Sequence, residues 1–152
     1  MIKIYVGEIT RLFSNQIFVF GSNTEGRHGK GAAKVALDKF GAKYGQASGR
    51  QGQSYAIITK DLTKKIHPSI PEDFIVDQIR VLYEYARQNK NLEFLVAYTA
   101  LKPNLNGYSN DELARMFAKF EIPANIIFGA EFAKLVCQYN FSYFLEYANS
   151  PT

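Results

Sequence analysis

Tryptophan is absent from this sequence, cysteine occurs once and histidine only twice. A lone thiol, Cys137, can form no internal disulfide, which points to an intracellular, reducing compartment. One cysteine with two histidines also excludes a thiolate zinc site, and nothing in the sequence asks for a metal or any other cofactor. No apolar run reaches the length needed to cross a bilayer. The N-terminal MIKIYVGEI alternates apolar and polar residues and lacks a basic leader followed by an apolar stretch, so it reads as a first strand and not as a signal peptide. These absences predict a soluble, cytoplasmic protein.

What is present is enough for one core. The 152 residues suit a single domain over 1–152, and a hydrophobic fraction of 47%, with ten Tyr and twelve Phe, argues against disorder. The net charge of +4 is unevenly placed: residues 21–65 hold nine Lys or Arg against three Asp or Glu, leaving nine against eleven elsewhere. A local cationic excess attracts phosphates, on a nucleotide or on a nucleic acid. It also fits a merely solvated Lys-rich helix face. Glycine is clustered as well, with eight of eleven lying between Gly21 and Gly52, and such a cluster marks a loop region where backbone approaches a ligand or another backbone closely.

Periodicity places these residues on elements. Ile2–Val6 alternates as a half-buried strand, and Ile17–Phe20 (IFVF) is a wholly apolar run that suits a buried central strand. Gly31–Phe40 reads as a helix with a broad apolar side, and Ser54–Thr59 (SYAIIT) as the next strand. Pro71 followed by Glu72 and Asp73 signals a helix start, running to about Gln88. Leu92–Leu101 reads as one long strand, and Ser109 with Glu112 forms the pattern of a capping box. Asn125–Phe128 is a further strand, followed by a helix from Ala130 to about Tyr139 that continues toward Tyr147. Strands alternating with helices predict an α/β layer structure, with helices on both faces of a mixed or mainly parallel sheet.

Ligands of open α/β sheets sit beyond the carboxyl ends of the strands. Here those ends carry Gly21-Ser22-Asn23, Lys60-Asp61 and Lys102–Gly107, which meet at one edge if the three strands are parallel neighbours. Gly26-Arg27-His28-Gly29-Lys30-Gly31 leads directly into a helix, whose free N–H groups and partial positive charge suit an anion. Arg27 and Lys30 add charge, and Arg27 offers bidentate geometry. The loop has neither the Gly-Lys-Ser/Thr end of a Walker loop nor a Gly-x-Gly-x-x-Gly fingerprint in register. Asn23 reads as an orienter of a sugar hydroxyl or water, or as the cap of a turn. His28 reads as a phosphate contact or general acid–base group, or as a surface or capping histidine. Lys60 and Asp61 are either site residues or a salt bridge at the strand end, and neighbours on a strand point to opposite faces. Tyr44 through Gly52 is a second loop or a long polar connection.

The segments FGSN (20–23), GRHGKGAA (26–33), FGAKYGQ (40–46), GQSYAIITKD (52–61), GYSNDELARMF (107–117) and NIIF (125–128) resemble, in that order, the macro domain superfamily, and more closely a bacterial and phage branch beginning Phe-Gly-Ser-Asn. The resemblance implies a three-layer α/β/α fold with a mixed, largely parallel sheet that binds ADP-ribose or a related nucleotide. It implies that Asn23, behind Gly21 and Ser22, contacts the distal ribose and that residues 26–31 form the first ligand loop. The segment ahead of Gly107 and Tyr108 matches the second, diphosphate-closing loop. That loop usually reads Gly-x-Gly, and here Lys102 and Asn104 flank Pro103, which has no N–H to donate. A branch that removes ADP-ribose uses a lysine after Ile-Thr and an aspartate in the second loop. Lys60, after Thr59, matches the lysine, whereas the aspartate position holds Asn106, an amide that cannot act as a base, and leaves Asp61 as a substitute. Two functions follow. One is a nucleotide-binding module that hydrolyses ADP-ribose linkages (an ADP-ribosyl hydrolase or phosphohydrolase) if the catalytic set is complete. The alternative is a non-enzymatic basic module for nucleic acid or a protein partner.

Overall fold

The computed structural model describes residues 2–98 and 103–150. Among the described residues six strands form one sheet: β1 (Ile4–Tyr5), β2 (Gln16–Asn23), β3 (Gly49–Gln51), β4 (Ser54–Lys60), β5 (Glu93–Val96) and β6 (Ile126–Gly129). Their spatial order is β1-β6-β5-β2-β4-β3. Every neighbouring pair is parallel except the edge hairpin β3–β4. The described residues also form five helices: α1 (Gly31–Lys39), α2 (Glu72–Gln88), α3 (Asn110–Phe117), α4 (Ala130–Cys137) and α5 (Phe141–Ala148).

Strand alternation assigns the layers. In β2, Ile17 and Val19 point to one face and Phe18 and Phe20 to the other. The first face, continued by Phe94, Val96 and Phe128, packs against the inner stripes of α2, α3 and α4. Tyr143 brings α5 onto the same cluster. On the opposite face Phe18, Phe20 and Ala56 pack under Ala33 and Ala36 of α1 and under Phe40. The small residues of α1 let the helix lie close to the sheet, so its N-terminus ends up beside the strand ends. The expected three-layer α/β/α arrangement around a mostly parallel sheet is what forms.

Boundaries differ where the sequence pattern had more than one cause. β2 runs on through Gly21, Ser22 and Asn23, which pair with Ile57, Ile58 and Lys60 across a register shift. In the described part of the run 92–101 the ladder ends at Val96, short of the one long strand expected, and residues 99–101 lie outside the described residues. Ala97 keeps a bond to the Val19 carbonyl, but Tyr98 turns its ring onto Phe117 and Phe132. Its apolarity reflects core packing, not strand pairing. The stretch 44–52 contains β3, whose Gln51 pairs with Ser54. The last helix is two helices, because Asn140 caps α5 through Tyr143 N while its amide donates to the Ala118 and Phe120 carbonyls. The capping box is present as expected, with the Ser109 hydroxyl accepting from Glu112 N and Glu112 accepting from Ser109 N. No helix among the described residues is long and apolar enough to cross a membrane.

Candidate functional site

The central strand β2 lies between β4 and β5, all three parallel, so their carboxyl ends open on the same edge. There they border a cleft of about 410 Å³, within the range of about 300–1,000 Å³ usual for small-ligand sites. Gly21, Ser22 and Asn23 of β2, Thr59 and Lys60 of β4, and Ala97 and Tyr98 after β5 form the strand side. Arg27, Gly29, Lys30 and the first turn of α1 form the facing side. Leu62 and the loop Pro103–Asn106 complete the rim.

The N-terminus of α1 is open. Lys30 stands at the N-cap in an extended conformation without capping by any side chain, and the first turn holds no carboxylate. Its first N–H groups have no intrahelical acceptor and carry partial positive charge. Arg27 reaches Glu25 at 3.4 Å through Nε, while Lys30 and Lys60 have no ion pair among the described residues. Leu105 extends its side chain across to Gly31, where its Cδ1 would lie 3.5 Å from an added Cβ. The second loop therefore approaches the helix N-terminus with an apolar side chain in place of a backbone cradle.

Asn23 caps the turn, one of the two readings its sequence allowed. Its Oδ1 accepts from Glu25 N (3.2 Å) and Arg27 N (3.0 Å), and its Nδ2 donates to the Arg27 carbonyl at 2.9 Å. The side chain thus folds the turn 23–27, and it also lines the cleft. With both oxygen lone pairs engaged, what it has left for a ligand is one amide hydrogen.

Five expected residues stand elsewhere. His28 is buried, 1% exposed, edge-on to Phe20 and 3.2 Å from Gln51 Oε1 through Nε2. The same Gln51 oxygen accepts from Lys43 N at 2.7 Å, so His28 ties the first loop to β3 and is no surface histidine. Gly26 packs on the neighbouring loop, since a Cβ there would come within 2.6 Å of the Gly45 carbonyl carbon. Asp61 turns away from Lys60 and forms no ion pair with it: its Oδ1 accepts from Thr63 N and Thr63 Oγ1 at 2.9 and 2.7 Å. Those two bonds hold its carboxyl below the usual range. As a substitute base it is misplaced. Gly107 sits against the backbone of His67 and Pro68, and the Tyr108 hydroxyl donates to the Ile70 carbonyl. Both brace the second loop from behind and do not face the cleft. Lys102 lies outside the described residues. Asn106 does line the cleft, 5% exposed, with its Oδ1 accepting from Tyr108 N at 2.9 Å.

Sequence reading missed Tyr98. Its ring packs on Phe117 and Phe132 at centroid distances of 6.1 and 5.9 Å, and its hydroxyl is buried without a hydrogen-bond partner. Burial pushes this phenol up to about 12, against smaller opposing effects of Thr59 and Asn106, which stand near the hydroxyl without good alignment. Gly21 accounts for the space. A Cβ at Gly21 would meet the Tyr98 hydroxyl oxygen at 2.7 Å and Thr59 Oγ1 at 3.0 Å. The available signal was a tyrosine two residues past a core strand, which an overlong strand assignment concealed.

No protein-family model matches the sequence, and no curated protein does. Among solved structures, a mutant macrodomain of Oceanobacillus iheyensis is similar, with a TM-score of 0.58 over 95% of this chain and 92% of that chain at 15% sequence identity. By this likeness the chain has the macrodomain fold.

Proposed function

We propose that the cleft at the carboxyl edge of β2, β4 and β5 binds ADP-ribose or a related phosphate-bearing nucleotide. The observation that carries this reading is the uncapped N-terminus of α1, which opens into the cleft together with Arg27 and Lys30. Free N–H groups, helix polarity and two cations on one side of a cleft of nucleotide size suit a diphosphate. The fold shared with a macrodomain supports the same ligand class. Isothermal titration with ADP-ribose tests it: saturable binding is expected, and no heat at millimolar ligand would remove the reading.

Binding is better supported than hydrolysis. No carboxylate and no histidine lines the cleft among the described residues. Lys60 is the one expected catalytic group with an ammonium there, and the position of the second-loop acid is the amide of Asn106. Hydrolysis of an ADP-ribose linkage would rest on Lys60 and on water placed by Asn23. Turnover of an ADP-ribosylated substrate that falls at least tenfold in both Asn23→Ala and Lys60→Ala would establish that role, and turnover unchanged from wild type in both variants would end it. Retention on single-stranded DNA or RNA with steep salt dependence, and no ADP-ribose binding, would favour the basic-module alternative.

A further inference from the structure

The hydroxyl of Tyr98 has no assigned task and an unusual position. It sits where three chain segments converge: beside Gly21 of β2, Thr59 of β4 and Asn106 of the second loop. Of the polar groups nearest to it, Thr59 Oγ1 donates to the Ser22 carbonyl at 3.3 Å and Asn106 Oδ1 accepts from Tyr108 N at 2.9 Å, and neither forms a hydrogen bond with it in the free protein. The hydroxyl is left buried and unpaired, an arrangement that folded proteins rarely keep without a use. The ring cannot swing out to water, because Phe117 and Phe132 hold it from behind. Gly21 leaves the room that the hydroxyl itself occupies, since an added Cβ would stand 2.7 Å from it, and this glycine is not required by backbone conformation, since its φ is not positive.

The surroundings indicate what would satisfy it. Around the hydroxyl stand a glycine, a threonine and a carboxamide, whereas Arg27, Lys30 and the helix N-terminus face the cleft from the other side. A phenol raised to about 12 stays protonated at neutral pH and presents an O–H. Its matching partner is a neutral oxygen acceptor, and on a nucleotide whose phosphates lie at α1 that acceptor belongs to a sugar. We propose that the Tyr98 hydroxyl is a ligand contact that donates a hydrogen bond to a hydroxyl oxygen of the distal ribose, with the Asn106 amide turning aside to admit it. This inference rests on the nucleotide reading of the cleft and adds to it a residue that selects for the sugar beyond the diphosphate.

The test compares wild-type protein and Tyr98→Phe by calorimetric titration with ADP-ribose and with ADP, which lacks the distal ribose, and by thermal unfolding without ligand. Loss of one neutral hydrogen bond predicts about fivefold weaker ADP-ribose binding with ADP affinity unchanged. Because the hydroxyl is unpaired in the free protein, the melting temperature of unliganded Tyr98→Phe should equal or exceed that of wild type. Equal ADP-ribose affinity in the two proteins overturns the inference while leaving the nucleotide reading intact. So does a loss shared equally by ADP, or a lowered melting temperature, since either gives the hydroxyl a structural role. Wild-type protein that binds neither ligand overturns the nucleotide reading and this inference with it.

Discussion

Single atoms decide much at the strand ends. Gly21 is the sharpest case, because one added methyl would overlap the Tyr98 hydroxyl at 2.7 Å and Thr59 Oγ1 at 3.0 Å. Both groups are held by core packing, so Gly21→Ala is expected to destabilise the protein by about 1–3 kcal/mol, as overpacking does, and to weaken ligand binding. A denaturation midpoint identical to wild type would mean that the cleft floor yields easily. Asn23 works differently. Its side chain makes three hydrogen bonds within the turn 23–27, so Asn23→Ala should loosen the loop ahead of α1 even in the free protein. Faster amide exchange confined to residues 24–29 would report this, and unchanged protection would assign Asn23 to the ligand alone.

Elements are fixed by their ends as much as by their faces. Ser109 and Glu112 close the start of α3 by two reciprocal bonds of 3.0 and 2.9 Å, and Ser109→Ala should cost about 1 kcal/mol. Asn140 has a wider reach: it caps α5 and donates to the carbonyls of Ala118 and Phe120 after α3. Asn140→Ala removes the cap and leaves two carbonyls without their donor, so it should cost more than Ser109→Ala, about 2–3 kcal/mol. Urea unfolding of the two variants checks the order, and a smaller loss for Asn140→Ala would refute this account of the α4–α5 break. α1 shows the opposite device. It has no cap and no acid in its first turn, which leaves its first N–H groups without a side-chain acceptor, and Lys30→Asp would install the missing cap. That change should strengthen the helix and weaken binding of a phosphate-bearing ligand.

For the whole molecule, the buried tyrosines link stability to alkaline pH. Burial raises Tyr98 to about 12 and also raises Tyr5, Tyr83 and Tyr143. A group raised on folding contributes stability that is complete below its unfolded value near 10 and is lost as pH climbs toward the folded value. Stability should therefore be level up to about pH 9 and fall steeply above 10, with Tyr98 responsible for on the order of 2–3 kcal/mol. Melting curves from pH 8 to 11.5 should show a shallower fall for Tyr98→Phe, and parallel curves would dismiss the burial of this phenol. Sequence by itself determined the alternation of strands and helices, the capping box at Ser109, the open basic loop ahead of α1 and the layered class, because these depend on local periodicity and on residue types a few positions apart. Tertiary structure alone decided which of those residues face the cleft. Gly26, His28, Asp61, Gly107 and Tyr108 look like site residues in sequence but are taken up by Gly45, Gln51, Thr63, His67–Pro68 and Ile70. Tyr98 looks like part of a strand and becomes the floor of the site, because where a side chain ends depends on partners that lie far away along the chain.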